Sequence, residues 1–243
     1  MTYAIVDSLL ASILPRRCGL CGQASGALNS CDACRGDLPW NNRPCHQCGA
    51  PLPLSCQSTA CGRCRVSTAA IHRVMSALIY EYPVDRLIAG AKFQGRIDFA
   101  RVLGEWLGLY LEARQTIDPF RLPDHIFPVP LHRKRLAARG FNQALEIARP
   151  VAELLNVPLN GSGCRRVRDT PEQTSLSGVA RRRNTRDAFE ASDDVFDKRI
   201  AVIDDVITTG STADAMAKAL CAAGAKEVLV FTVARTMPRA SAA

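Results

Sequence analysis

The chain contains no Gly-x-x-x-x-Gly-Lys-Ser/Thr sequence, which excludes an ordinary P-loop nucleotide hydrolase. No Gly-x-Gly-x-x-Gly follows an apolar strand, which removes the usual dinucleotide-binding turn. Long apolar runs are missing too, and none approaches the length that spans a bilayer. Aromatic residues make up only 6% of the 243 residues, and Trp40 stands almost alone in the cysteine-rich N-terminal stretch. A stacking platform for single-stranded nucleic acid is therefore poorly supplied there. Residues 3–14 space Ile5, Leu9, Leu10, Ile13 and Leu14 as a short amphipathic helix, expected to pack on that stretch. They carry neither a basic leader nor a small-residue cleavage site, so they do not read as a signal peptide, and the expected location is the cytoplasm.

Negative charge is the scarcer sign, with 23 Asp and Glu against 31 Lys and Arg, a formal net charge of +8. Part of that excess is offset. Nine of the eleven cysteines lie between Cys18 and Cys64, and eight form Cys-x-x-Cys pairs: Cys18/Cys21, Cys31/Cys34, Cys45/Cys48 and Cys61/Cys64. Two residues between thiolates let both sulfurs reach one tetrahedral ion. In a chain that reads as intracellular, where thiols stay reduced, the pattern indicates two structural Zn²⁺ sites rather than disulfides. Sequential pairing (the first two pairs on one ion, the last two on the other) is favoured by the short connecting loops. A cross-braced arrangement also satisfies the spacing. Eight thiolates and two Zn²⁺ add about −4, leaving the chain at roughly +4. Cys56 is the spare, expected to be a bystander, with replacement of a ligand of the second site as the alternative, and Cys221 reads as a small buried hydrophobe on a helix.

Residues 200–212 read Ile-Ala-Val-Ile-Asp-Asp-Val-Ile-Thr-Thr-Gly-Ser-Thr. Four apolar residues predict a buried strand ended by two adjacent carboxylates, Asp204 and Asp205, followed by a loop that opens a helix at Ser211 and Thr212. The carboxylates suit two vicinal hydroxyls. The turn of Thr208, Thr209, Gly210, Ser211 and Thr212 offers backbone N–H groups, hydroxyls and a helix N-terminus to an anion. The C-terminal end of such a strand is where open α/β sheets bind ligands. The run resembles the signature of type I phosphoribosyltransferases. That resemblance implies that Asp204 and Asp205 hold the ribose hydroxyls of 5-phosphoribosyl 1-pyrophosphate (PRPP), that residues 208–212 cradle its 5-phosphate, and that Mg²⁺ arrives mostly on the substrate's own oxygens.

Along the rest of the chain, strands are predicted over residues 73–82, 125–129, 199–204 and 227–234. Helices are predicted over 84–93, 99–113, 142–155 and 212–223, with Gly224 as the last helix's stop. A basic loop, Leu131, His132, Arg133, Lys134 and Arg135, is expected between the strand ended by Pro130 and the next helix, and a cis peptide is plausible near Pro130. Residues 165–186, rich in arginine, read as a long loop of the kind that forms lids, leading into a short helix from Arg183 to Ala188.

Taken in order, four cysteine pairs, Lys92-Phe93-Gln94-Gly95-Arg96, Val129-Pro130-Leu131-His132, Arg139-Gly140-Phe141-Asn142-Gln143 and the Asp204-to-Thr212 run resemble the ComF family over nearly the whole chain. The resemblance implies an α/β fold: a mostly parallel sheet flanked by helices, of the type I phosphoribosyltransferase kind (residues 67–243), preceded by a small double zinc ribbon (residues 1–66). It implies a pyrophosphate loop from Pro130 to Arg135, with Lys92 and Arg139 beside it, and matches at Gln173, Leu176, Arg181 and Asn184. It also implies phosphoribosyl transfer with release of pyrophosphate, a role in DNA uptake and natural competence, and competence proteins and single-stranded DNA as partners. A non-catalytic PRPP sensor and a DNA-handling factor are the alternatives on the same fold. Glutamine-dependent chemistry is not expected, because Cys18 belongs to a Cys-x-x-Cys pair and does not read as an N-terminal nucleophile.

Overall fold

The structure, a computed structural model, describes residues 16–62, 64, 70–168 and 188–237. The chain divides into two compact units, Met1–Leu38 and Pro39–Ala243. In the first, a tight turn brings the amide of Gly22 to the carbonyl of Cys18 at 2.9 Å, with Gly22 at φ +73°. Helix α1 (Asp32–Gly36) follows. The expected helix over residues 3–14 lies outside the described residues.

The second unit is built on four parallel strands. These are β1 (Arg73–Ile79), β2 (His125–Pro128), β5 (Arg199–Ile207) and β6 (Glu227–Arg235), in the order β1-β6-β5-β2. Parallel strands need covered faces, hence the near-continuous apolar runs of β5 and β6. On one face Ile200, Val202, Val228 and Val230 pack with Met216, Ala217 and Leu220 of helix α6 (Ser211–Ala222). The alternate residues Ala201, Ile203, Leu229 and Phe231 are equally buried. Helices α3 (Ile97–Ile117) and α5 (Gln143–Leu155), which pack on each other and on the sheet, supply the second cover. Where they cross, Gly104 admits the α5 backbone: a Cβ there would lie 2.3 Å from the carbonyl oxygen of Ile147. Helix α2 (Val84–Phe93) leads from β1 toward α3.

The outer edge of β1 is also occupied. Residues 39–41 run antiparallel to it, with the Asn41 amide on the Ala77 carbonyl at 2.8 Å and the Ile79 amide on Pro39 at 2.9 Å. An otherwise open sheet edge is thereby closed by the segment that carries the second group of cysteines.

Four expectations are corrected. The Asp204–Asp205 pair does not end its strand: β5 continues to Ile207, because β6 is long enough to keep pairing, Val206 with Ala234 and Ile207 with Arg235. The expected basic loop is mostly helix, α4 (Arg133–Arg139). Its residues are Arg, Lys, Leu and Ala, all good helix formers. His132 caps it by accepting the Lys134 amide, and Gly140 at φ 82° ends it in a left-handed turn. The start of the expected loop 165–186 is a strand, β3 (Cys164–Arg166), antiparallel to β4 (Phe189–Ala191). Residues 169–187, with the matches at Gln173, Leu176, Arg181 and Asn184 and most of the expected short helix, lie outside the described residues. Finally, the cis peptide among the described residues is Tyr82–Pro83, not one beside Pro130.

Candidate functional site

The C-terminal ends of β1, β2 and β5 open into one pocket of about 420 Å³. Asp204, Asp205, Thr208, Thr209, Gly210, Ser211 and Thr212 line it, joined by Lys92 from the last turn of α2, Leu131 after β2, and Arg135 and Arg139 from α4. His132, Arg133 and Lys134 do not line it. Helix formation explains the split, since residues four apart on α4 share a face and Arg135 and Arg139 are such a pair.

Asp205 is almost fully buried and is held from two sides. Lys92 Nζ lies 2.9 Å from its Oδ2, and Gln143 Nε2, from the first turn of α5, donates to the same oxygen at 3.4 Å. Burial alone would lower the pKa of the Lys92 ammonium, but Asp205, and then Asp204, hold it above its ordinary value. Asp204 has the opposite problem. Burial and the charge of Asp205 push it up to about 7, against the pull of Lys92. Two adjacent carboxylates sharing one lysine cannot both ionise freely at neutral pH.

The loop after β5 is shaped for an anion. Gly210 sits at φ 82° and ψ 5°, a conformation that favours glycine, and it is the N-cap of α6. Thr209 Oγ1 donates to Ser211 Oγ at 3.2 Å and accepts the Ser211 amide at 3.4 Å. The loop thus aims hydroxyls and the start of a twelve-residue helix at the space beside the carboxylates.

Tyr80, Phe93, Val129, Gln143 and Arg166 also line the pocket, and sequence reasoning did not assign them to it. Gln143 closes the Arg-Gly-Phe-Asn-Gln motif and Arg166 belongs to the arginine-rich stretch of residues 165–186, so both carried a signal. Val129 opens the Val-Pro-Leu-His motif and Phe93 lies in the Lys-Phe-Gln-Gly-Arg break, whereas Tyr80 carried no signal, because its place follows from where β1 ends. Arg165, next to Arg166, instead pairs with Glu190 across β3 and β4 at 2.7 Å.

The eight paired cysteines form two groups, Cys18/Cys21/Cys31/Cys34 and Cys45/Cys48/Cys61/Cys64, each with its sulfurs within 4.8 Å of one another. The pairing is sequential. Cys21 and Cys31 sulfurs lie 3.7 Å apart, as do those of Cys48 and Cys61. A tetrahedron of sulfurs at about 2.3 Å from Zn²⁺ has edges of about 3.8 Å, so the spacing of both groups is compatible with that ion. The thiols within each group are not equivalent: burial and the neighbouring thiols push Cys34, Cys48 and Cys64 up, while backbone amides favour one thiolate in each group. Burial opposes ionisation of Cys18, yet the amides of Cys21, Cys31 and Leu20 bring it down to about 6. Cys45 comes down to about 7, against burial, through the amides of Cys61, Cys48 and Gln47. With four protein ligands each, the sites are closed and structural. Cys56 stands outside both groups, with its thiol on the Ser58 carbonyl. Cys221 is exposed rather than buried, because it lies on the outer side of α6.

Fold and sites together define a phosphoribosyltransferase-like α/β protein carrying a double zinc ribbon. Comparison with known proteins agrees: residues 9–65 match the double zinc ribbon domain, and residues 142–241 the phosphoribosyl transferase domain. The DNA utilization protein YhgH of Escherichia coli K12 is 34% identical over 227 residues, covering 92% of this chain and 99% of that protein. Competence protein F of Haemophilus influenzae is 34% identical over 194 residues, 79% of this chain and 84% of that one. The glutamine PRPP amidotransferase of B. subtilis, solved with ADP and GMP, aligns with a TM-score of 0.37 at 21% identity, over 55% of this chain and 26% of that chain. The chain belongs to the ComF family. Among the described residues no helix is long and apolar enough to cross a membrane.

Proposed function

We propose that the pocket binds PRPP with Mg²⁺ and transfers its phosphoribosyl group to an acceptor. The observation that carries this reading is the meeting, in one pocket, of the Asp204–Asp205 pair, the residue 208–212 loop at the start of α6, and the cations Lys92, Arg135 and Arg139. Asp204 and Asp205 accept hydrogen bonds from the two ribose hydroxyls, the loop binds the 5-phosphate, and Arg135 and Arg139 face the pyrophosphate. The acceptor's lone pair forms a bond to C1 as the C1–O bond to pyrophosphate breaks. The bonding pair leaves with the pyrophosphate, and the acceptor's proton goes to solvent. The carboxylates also favour the positive charge that develops on the sugar. Mg²⁺ fits here because two crowded acids leave negative charge that a cation relieves. When bound, it neutralises the departing pyrophosphate.

The names of the relatives, a DNA utilization protein and a competence protein, extend the proposal to the handling of incoming DNA, with single-stranded DNA and competence proteins as partners, in the cytoplasm. Calorimetry with PRPP and Mg²⁺ tests the pocket. Saturable binding is expected for the wild type, weakened about tenfold or more by Asp205→Asn, which removes a charged hydrogen-bond acceptor. Unchanged affinity in a folded variant contradicts the assignment. Release of pyrophosphate with candidate acceptors separates an enzyme from a sensor.

A further inference from the structure

One buried side chain joins the second cysteine group to the loop at the pocket. Arg235, the last residue of β6, is 5% exposed. Its Nε donates to the carbonyl of Cys48 at 3.2 Å, and its Nη1 donates to the carbonyls of Ile207, at 2.8 Å, and Thr208. Cys48 is a ligand of the second group, and Thr208 opens the loop. The cysteine segment is itself seated firmly on β1. The Val74 amide bonds the Gln47 carbonyl at 3.0 Å and Asn41 Nδ2 the Gly49 carbonyl at 2.8 Å. Gly49, at φ +66°, packs so closely that a Cβ would lie 3.2 Å from the Val74 carbonyl oxygen.

We propose that Arg235 is a positioning residue that makes the geometry of the residue 208–212 loop depend on metal in the Cys45/Cys48/Cys61/Cys64 site. A peptide group is planar and trans, so holding the carbonyls of Ile207 and Thr208 toward Arg235 turns the amides of Thr208 and Thr209 the opposite way. A buried guanidinium also needs a negative field nearby. Four thiolates around one divalent ion carry a net charge of about −2, and their knuckle presents the Cys48 carbonyl. Loss of the metal frees the knuckle that presents the Cys48 carbonyl, so Arg235 loses a fixed anchor and the loop loosens.

The test uses the full chain with Cys61→Ser, which breaks the site away from Arg235, and Arg235→Lys, whose ammonium lacks the planar fork. Cys56→Ser, a cysteine of the same segment outside the site, is the control. Zinc content, amide hydrogen exchange at residues 208–213 and calorimetric affinity for PRPP with Mg²⁺ are read in each. Cys61→Ser is expected to lose one zinc, and both it and Arg235→Lys to speed loop exchange roughly tenfold and weaken PRPP binding to a similar degree. Cys56→Ser should match the wild type. The affinity arm rests on the proposed function, whereas exchange is measured without ligand, so failure of the wild type to bind PRPP overturns that function alone. Wild-type exchange rates in Arg235→Lys, or in a folded Cys61→Ser lacking one zinc, overturn the positioning role.

Discussion

Replacing Lys92 with methionine keeps most of the side chain's bulk and removes the ammonium 2.9 Å from Asp205. At that distance the attraction is about 6 kcal/mol for an effective dielectric of about 20. The variant no longer has an ammonium to desolvate, and Lys92 is 23% exposed, so roughly half of this is recovered. A net loss of about 3 kcal/mol is expected at pH 8. The pH dependence identifies the cause. Burial and Asp205 raise Asp204 to about 7, and Lys92 is what restrains the rise. Without the lysine, Asp204 keeps its proton to still higher pH. At pH 5.5 Asp204 is protonated in either protein, so Asp205 faces no neighbouring charge and the loss shrinks, by about 1 kcal/mol or more. Urea denaturation of both proteins at the two pH values measures this. An equal loss at both would mean that Lys92 acts through packing, and the electrostatic account of the pocket would fail.

Four further variants have expected outcomes. Asp204→Asn removes a group whose folded pKa, about 7, lies above its ordinary value of 3.8. In the wild type the stability tied to its proton is complete below that ordinary value and is lost as pH rises through about 7, so the variant should gain on the wild type across that window, by melting temperature, while binding PRPP more weakly. Cys31→Ser should retain one zinc ion where the wild type holds two, measured by metal analysis of the purified protein. Gly104→Ala should cost about 2 kcal/mol, because the added methyl meets α5 backbone. Gly108→Ala should be nearly neutral, because its neighbour at 2.4 Å is the flexible tip of Leu154; equal effects in urea denaturation would contradict the packing described.

Short-range pattern was enough for much of the protein. The cysteine spacing identified two four-sulfur groups, and the run from Ile200 to Thr212 located the strand, carboxylates, glycine turn and helix start that line the pocket. Each of these is a contiguous segment whose geometry follows from neighbours a few residues away. Local reading failed where a distant partner decides. Asp204 and Asp205 look like a strand's end until β6 extends alongside them to Arg235. The basic run at Arg133 looks like a loop because its charges hide a helix capped by His132 and Gly140, and that helix turns Arg135 and Arg139, but not Lys134, into the pocket.

The amino-acid order alone determined the sulfur ligands, the pair of acids and the anion-shaped turn, since covalent spacing within a knuckle or a turn leaves few conformations. Only the folded chain decided which cysteine pairs share an ion, that Gln143 reaches Asp205 across 62 residues, and that Arg235 links a cysteine knuckle to the loop. Those contacts exist because parallel strands bring remote segments to one edge of a sheet, and no interval along the sequence encodes that distance.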